Sequence, residues 1–137
     1  MDIATRFRSE MYRMVKVLRK ETPNEEMLSL TERSTLALIS QHTEILPGEL
    51  AAIEKITTQG MSQIINHLME LGYILKTPSS EDRRKVIITL TDAGRKLVRQ
   101  RQQEKQEWLS RRIGQVLNAR EKQTLADAVD IMTKLIG

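Results

Sequence analysis

The sequence predicts a mainly α-helical protein that also carries one small two-stranded β-hairpin. Apolar residues recur every three or four positions over most of the chain, as they do on the buried faces of helices. One stretch, Tyr73 to Leu90, instead holds two β-branched apolar runs, which are typical of strands. Proline, glycine and helix-capping residues separate the segments, so most connections are predicted to be short.

The first predicted helix covers residues 2–20 and is amphipathic. Its apolar side chains recur at spacings of three and four, with basic side chains between them. The apolar set is Ile3, Phe7, Met11, Met14, Val15 and Leu18. The following segment, Glu21 to Ser29, contains Pro23 and Asn24 without periodicity, and is predicted to be a connector.

Two short helices are predicted next. Thr31 is expected to cap a helix that runs to about Gln41. Pro47 is well suited to the first position of a second helix, which reaches about Lys55. The side chains expected to face inward are Leu36, Ala37 and Ile39 in the first helix and Leu50, Ala51 and Ile53 in the second.

A further helix and the hairpin follow. Either Thr57 or Thr58 is expected to cap a helix that continues to Leu71, where Gly72 is the expected stop. The two strands are predicted at residues 73–77 and 85–90, and the polar segment 78–84 between them is predicted to be the turn.

Two helices are predicted to complete the chain. Thr91 is the expected cap of a long helix from Asp92 to about Ile113, in which Leu97, Trp108 and Leu109 stand among many charges. Asn118 and Glu121 have the spacing of a helix cap and its reciprocal partner. The last helix carries the apolar residues Leu125, Val129, Met132, Leu135 and Ile136.

Composition excludes several classes of function. The 137 residues are enough for one domain that folds without a disulfide or a metal. Cysteine is absent from the sequence, which excludes a thiol nucleophile and a cysteine-ligated zinc. No apolar run approaches the ~20 residues that cross a bilayer, and the N-terminus lacks the apolar region of a signal peptide. We expect a cytoplasmic protein with no cofactor and no membrane partner.

Positive charge is concentrated in the second half of the chain. Between Arg83 and Lys122 there are twelve basic residues and four acidic ones, an excess of eight. Such a field favours a polyanionic partner, such as nucleic acid or an anionic membrane. Solvated helix faces would have the same composition, so charge alone leaves both interpretations open.

The helices predicted at 47–55 and 58–71 have the spacing of a helix-turn-helix motif. The second of them has an apolar stripe consisting of Met61, Ile64, Ile65 and Leu68. The polar residues turned away from that stripe are Gln59, Ser62, Gln63, Asn66 and, at its edge, His67. Glutamine and asparagine pair with adenine in the major groove, so this face is suited to base edges. The alternative is a plain polar face in contact with solvent.

The predicted hairpin turn ends in two arginines, Arg83 and Arg84. Arginine at the end of a strand pair is suited to a minor groove, where narrow A·T-rich DNA has enhanced negative potential. The alternative is an exposed turn whose charges keep it soluble. Asp82 is expected to orient an arginine or the turn backbone, because a carboxylate is repelled by phosphates.

Several motifs together resemble the winged-helix core of the multiple antibiotic resistance regulator (MarR) family of bacterial transcription factors. In order they are Leu30-Thr31, Gly48-Glu49-Leu50-Ala51, Leu68-x-x-Leu71-Gly72-Tyr73-Ile74, Asp82-Arg83-Arg84 and Leu90-Thr91-Asp92-Ala93-Gly94. The order of the outer helices, one before and two after, also fits this winged helix-turn-helix architecture.

The resemblance implies a homodimer that binds a pseudo-palindromic operator in double-stranded DNA, represses there, and is often released by a small phenolic or other anionic ligand. It implies a single domain over residues 1–137, with a DNA-binding core at about 30–91 and dimerisation helices at about 2–20 and 92–136. Lys76 departs from the arginine that the family often carries there, and the missing cysteine excludes thiol oxidation. The residues expected to contact DNA are Thr58, Gln59, Ser62, Gln63, Asn66, His67, Arg83 and Arg84.

The apolar stripes of the first and last helices are too large for a compact winged-helix core alone. They are expected to meet between two subunits, the alternative being a monomer whose terminal helices cover each other.

His42, close to Glu44, is expected to end its helix rather than to bind metal. An enzyme is not expected, since the sequence lacks a nucleophile with its base and a glycine-rich phosphate loop. A winged-helix module that binds only protein is the remaining alternative.

Overall fold

The computed structural model describes residues 2–137, and in that range it contains six helices and two strands. These elements are α1 (Ile3–Glu21), α2 (Leu30–Gln41), α3 (Pro47–Glu54), α4 (Thr58–Glu70), β1 (Ile74–Pro78), β2 (Val86–Leu90), α5 (Asp92–Val116) and α6 (Ala119–Ile136). The predicted fold class, a mainly helical chain with one small hairpin, is confirmed.

The start of α2 differs from the prediction. The cap is Ser29 and not Thr31. The Ser29 hydroxyl accepts a hydrogen bond from the Glu32 amide at 3.1 Å, and the Glu32 carboxylate accepts one from the Ser29 amide at 2.9 Å. This reciprocal pair needs a glutamate three residues after the cap. Thr31 has Ser34 at that position, so it has no such partner and lies inside the first turn instead.

Helix α3 begins at Pro47, as predicted, and buries Leu50 and Ala51. The expected burial of Ile53 is wrong, since 49% of that residue is exposed. Ile53 lies two residues beyond Ala51, which is about 200° around the helix, so it cannot share the face of Ala51. Lys55 ends the helix in the left-handed conformation, with φ of 56°.

Helix α4 is capped by Thr57, whose hydroxyl accepts a hydrogen bond from the Gly60 amide at 2.9 Å. It ends where predicted, because Gly72 adopts a φ of 84° that most side chains disfavour. The Tyr73 amide then donates to the Leu68 carbonyl at 3.1 Å and turns the chain into β1.

The two strands pair antiparallel, from Ile74 opposite Leu90 to Pro78 opposite Val86. Pro78 therefore belongs to β1, although it was predicted to lie in the turn. It is tolerated there because it is the terminal residue of its strand. A third short segment joins the sheet, since the Ile88 amide donates to the Ile45 carbonyl at 2.9 Å.

The beginning of α5 approaches the start of β1 very closely. Thr91 caps the helix as predicted, accepting a hydrogen bond from the Gly94 amide at 3.1 Å. A Cβ atom on Gly94 would lie 2.0 Å from the carbonyl oxygen of Tyr73. Only glycine fits at this position, which explains its place in the Leu90 to Gly94 motif. The helix continues to Val116, three residues past the predicted end.

The chain divides into two compact units. The first, Asn24–Gln102, contains α2, α3, α4, the hairpin and the start of α5. Its buried core consists of Leu28, Leu36, Ile39, Ile45, Leu50, Ala51, Met61, Ile65, Leu68, Ile74, Ile88 and Leu97. The predicted DNA-binding core, at about residues 30–91, lies within this unit.

The second unit, Met1–Pro23 with Gln103–Gly137, contains α1, the rest of α5 and α6. Helix α6 is capped by Asn118 and Glu121, as predicted, at 2.8 and 3.0 Å. No residue described in α1 or α6 is buried. The exposed apolar side chains of these two helices are Ile3, Met11, Tyr12, Met14, Val15, Val17, Leu125, Val129, Ile131, Leu135 and Ile136.

Candidate nucleic-acid interface

Helix α4 has one buried face and one open face, as its sequence predicts. Met61, Ile65 and Leu68 are almost completely buried, with 0 to 2% of each residue exposed. The opposite row, Gln59, Ser62, Gln63 and Asn66, is exposed. These four residues follow the spacing i, i+3, i+4 and i+7, which places them along one side of the helix. The helix therefore presents amide and hydroxyl groups on a rigid support.

The N-terminal end of α4 is open to a ligand. Thr58, its first residue, is exposed, as are Gln59 and the capping residue Thr57. Thr57 satisfies one of the free amides of the first turn, and the others have no partner within the helix. Free amides and the helix dipole favour a phosphate at such an end. Thr58 thus lies at a helix end that suits a phosphate.

His67 lies on α4 close to the polar row and is engaged within the protein. Its Nδ1 atom is hydrogen-bonded to the Glu32 carboxylate of α2. Half of the His67 side chain is exposed, against 10% of that of Glu32. Burial favours the neutral form of Glu32, but hydrogen bonds from the Ser29 backbone and from His67 outweigh it and lower the pKa of this carboxyl. His67 therefore joins α4 to α2, in addition to its predicted place near DNA.

The tip of the hairpin gives its two arginines different surroundings. Both oxygens of Asp82 accept hydrogen bonds from the Arg84 guanidinium, at 3.1 and 3.2 Å, and the Arg84 amide donates to the same carboxylate at 3.1 Å. The Arg84 side-chain hydrogen bond, followed by that of its backbone, lowers the pKa of Asp82. Asp82 thus orients an arginine and the turn backbone, as the sequence predicts.

Arg83 is exposed, and it forms no ion pair within the part of the chain that the structure describes. Its guanidinium is therefore free to reach an external anion. Arg84 would have to share its charge between that anion and Asp82. The sequence named the two arginines together and did not distinguish them.

Sequence reasoning missed a contact that holds the hairpin. The Glu44 carboxylate, in the α2–α3 connection, accepts hydrogen bonds from the Ser79 hydroxyl at 3.0 Å and from the Ser80 amide at 2.8 Å. The partners are 35 and 36 residues apart in sequence. No local pattern signals such a pair. The sequence identifies Glu44 only as a neighbour of His42.

His42 ends α2, as predicted, and its Nδ1 atom lies 2.8 Å from the carbonyl oxygen of Leu38. Across residues 2–137, no cluster of three or more histidine, aspartate or glutamate side chains is arranged to hold a metal. None of the described helices is both long and apolar enough to cross a membrane.

A cavity of about 500 Å³ lies within the first compact unit, between the end of α2, strand β2 and the start of α5. Its walls combine apolar side chains such as Ile88 and Val98 with the guanidinium groups of Arg95 and Arg99. Arg95 donates to the Leu90 carbonyl at 3.0 Å and pairs with Asp92, whereas Arg99 has no ion pair among the described residues. The cavity is suited to a small ligand that carries negative charge.

Comparisons with known proteins agree with this geometry. A family model described as the MarR family matches residues 28–85. An HTH-type transcriptional regulator of Mycobacterium bovis is 30% identical over 124 residues, which are 90% of this chain and 85% of that protein. A mutant of MarR from E. coli has a TM-score of 0.78 at 18% identity, covering 100% of this chain and 98% of that one. MepR of S. aureus, solved with bound ethidium bromide, has a TM-score of 0.70 at 18% identity, covering 98% and 97%.

Proposed function

Since this chain belongs to the MarR family of helix-turn-helix transcriptional regulators, we propose that it binds a pseudo-palindromic operator as a homodimer and represses transcription there. One observation carries the proposal. The exposed row of α4, from Gln59 to Asn66, lies opposite a buried stripe and is followed in the chain by an arginine-tipped hairpin. The first feature suits a major groove and the second a minor groove.

In this proposal α4 lies in the major groove. Gln63 and Asn66 pair with base edges, and Gln59 and Ser62 contact bases or the phosphates beside them. Thr58 and the free amides at the start of the helix bind the DNA backbone. His67 contacts DNA through the exposed part of its ring, while its Nδ1 atom is hydrogen-bonded to Glu32.

The hairpin contacts the adjacent minor groove in the same proposal. Arg83 enters the groove, because its guanidinium forms no ion pair among residues 2–137. Arg84 contacts the rim of the groove while Asp82 holds its orientation. Both contacts depend on charge, so they are expected to respond strongly to salt.

The second compact unit supports the homodimer. Neither α1 nor α6 has a buried residue, yet both carry rows of apolar side chains. Pairing these rows with those of a second copy removes them from water. A dimer also places two α4 helices on one duplex, which suits a two-fold symmetric operator.

We propose that a small phenolic or other anionic effector binds the protein and releases it from DNA. The cavity beside Arg95 and Arg99 supports this class, since its lining combines apolar and polar side chains with the guanidinium of Arg99, which forms no ion pair among residues 2–137. MepR, which has a similar fold, binds ethidium bromide, so this ligand supports the aromatic character of an effector but, being a cation, not its negative charge. An effector would act by favouring a different spacing of the two α4 helices.

Selection of bound duplexes from a random DNA pool tests the function. We expect an enriched sequence with two-fold symmetry and half-sites about one helical turn, roughly 10 base pairs, apart. An enriched site without symmetry would contradict the homodimer. Absence of any enriched duplex, together with salt-insensitive or absent binding to random DNA, would favour a winged-helix module that binds only protein.

A further inference from the structure

A chain of hydrogen bonds connects the α2–α3 connection to the tip of the hairpin. It starts at Glu44, whose two carboxylate oxygens receive the Ser79 hydroxyl, the Ser80 amide and the Ser80 hydroxyl. The Ser79 hydroxyl in turn accepts from the amides of Glu81 and Asp82, at 3.2 and 3.4 Å. Asp82 then holds Arg84 through both carboxylate oxygens.

The position of this series of hydrogen bonds shows that it constrains the hairpin loop. Its first residue, Glu44, is next to Ile45, which is buried and joins the sheet through Ile88. The loop between the strands is otherwise closed by two backbone hydrogen bonds, Ser79 to Lys85 and Lys85 to Asp82, both at 2.9 Å. These bonds lie within the hairpin itself. Among the hydrogen bonds that the loop makes within residues 2–137, only those to Glu44 tie it to another part of the first compact unit.

We propose that Glu44 is a positioning residue for DNA binding: it holds the hairpin loop so that Arg83 and Arg84 reach the minor groove while α4 occupies the major groove. This inference rests on the proposed function. Glu44 does not itself contact DNA in this view. A carboxylate is well suited to the task, since it accepts several hydrogen bonds at once. The hydrogen bond from the Ser80 side chain, and after it the one from the Ser80 backbone, lower the pKa of Glu44. The carboxyl is therefore ionised near neutral pH and accepts hydrogen bonds through both oxygens.

The sign of a mutational effect separates this role from simple electrostatics. Removing a carboxylate from a DNA-binding surface lessens repulsion from phosphates, so charge alone makes Glu44→Ala bind DNA more tightly. Loss of loop positioning makes it bind more weakly. Glu81→Ala is the matched control, because Glu81 lies in the same loop, is exposed and carries the same charge, and its carboxylate accepts no hydrogen bond from residues 2–137.

The experiment measures the affinity of the homodimer for its selected duplex and the amide exchange of the loop in the free protein. We expect Glu44→Ala to lose about tenfold in affinity, the effect of roughly one well-ordered polar contact, while Glu81→Ala binds equally or more tightly. The amides of residues 80–82 should exchange faster in Glu44→Ala, and that of Lys85, which bonds within the hairpin, should change least.

The same Glu44→Ala substitution in a protein that lacks both arginines tests whether Glu44 acts through them. In the Arg83→Ala/Arg84→Ala protein, Glu44→Ala should cost almost nothing further, because there is no guanidinium left to position. If Glu44→Ala costs the same in both backgrounds, or if it tightens binding as Glu81→Ala does, the proposal is wrong. Should Glu44→Ala not fold, Glu44→Gln serves in the same tests, since it retains one acceptor oxygen and loses the other.

Failure of the proposed function has a different signature. A wild-type protein that prefers no duplex overturns DNA binding and with it the role of Glu44 toward DNA. The amide exchange of residues 80–82 would then still differ between Glu44→Ala and wild type if Glu44 holds the loop. Unchanged exchange in a variant that does bind its selected duplex would overturn the positioning role alone.

Discussion

The two compact units bury their apolar side chains in opposite ways. Unit Asn24–Gln102 encloses a core in which Leu50 and Leu68 have no exposed surface. In the unit formed by the two ends of the chain, α1 and α6 have no buried residue, and Leu135 is 73% exposed. The same kinds of side chain thus form the core of one unit and remain exposed on α1 and α6 in the other. An amphipathic pattern therefore identifies the apolar face of a helix, but it does not show whether that face packs within its own chain or against another one.

Deleting residues 121–137 should have the largest effect on this comparison. The deletion removes Leu125, Val129 and Leu135 from the proposed dimer surface and leaves unit Asn24–Gln102 intact. We expect a dimer at micromolar concentration to become a monomer, while the helix-turn-helix unit stays folded. Sedimentation measures the first result and amide exchange in α4 the second. An intact dimer after the deletion would contradict the assignment of this surface.

Single truncations in the two units should behave differently. Leu68→Ala empties a fully buried position and should lower the free energy of unfolding by about 2–5 kcal/mol at any protein concentration. Leu135→Ala should act only through association, so its effect on the melting temperature should depend on protein concentration. Thermal melts over a hundredfold range of concentration compare them. A concentration-independent loss for Leu135→Ala would mean that it packs within its own chain.

Within the first unit, α4 and the hairpin should fail in different ways on DNA. Gln63→Ala and Asn66→Ala should each cost about 1–3 kcal/mol on the operator and almost nothing on random DNA, which never paired with them. Arg83→Ala should weaken both duplexes and reduce the salt dependence by about one log–log unit per phosphate-equivalent charge lost. Salt titrations on operator and random duplexes provide the measurement.

Arg84→Ala gives the finer comparison at the hairpin tip. It removes a charge that is already shared with Asp82. The slope of log affinity against log salt concentration should therefore change less in Arg84→Ala than in Arg83→Ala. Equal changes would mean that Asp82 releases Arg84 in the complex. If Gln63→Ala and Asn66→Ala weaken both duplexes equally, that face contacts the backbone and bases are read elsewhere.

The smallest expected effect concerns acid. The pKa of Glu32 is lowered from its ordinary 4.5, so its contacts stabilise the fold above that pH and are lost as the pH falls toward the lower folded value. We expect a contribution of about 1 kcal/mol or less. Chemical denaturation at pH 7 and pH 3 should show a smaller loss for Glu32→Gln than for wild type. An equal loss would assign the acid sensitivity to Glu26, Glu44 or Asp82, whose pKa values are also lowered in this unit.

The sequence by itself determined the order of the elements and the two faces of α4, because these features are local. Spacings of three and four select the stripe Met61, Ile65 and Leu68 wherever the helix packs. The caps at Thr91 and Asn118 and the stop at Gly72 are equally local. The cap of α2 is local as well: the prediction of Thr31 was wrong, although Ser29 and Glu32 have the capping-box spacing that Thr31 lacks.

Only the tertiary structure decided which side chains meet across long stretches of sequence. Glu44 reaches Ser79 over 35 residues, and Glu32 reaches His67 over the same separation. It also decided which of the two hairpin arginines pairs with Asp82: Arg84 does, whereas Arg83 forms no ion pair among residues 2–137. Local spacing fixes the direction in which a side chain leaves its own helix or strand. It does not fix what lies there, because that depends on how separate elements pack against one another.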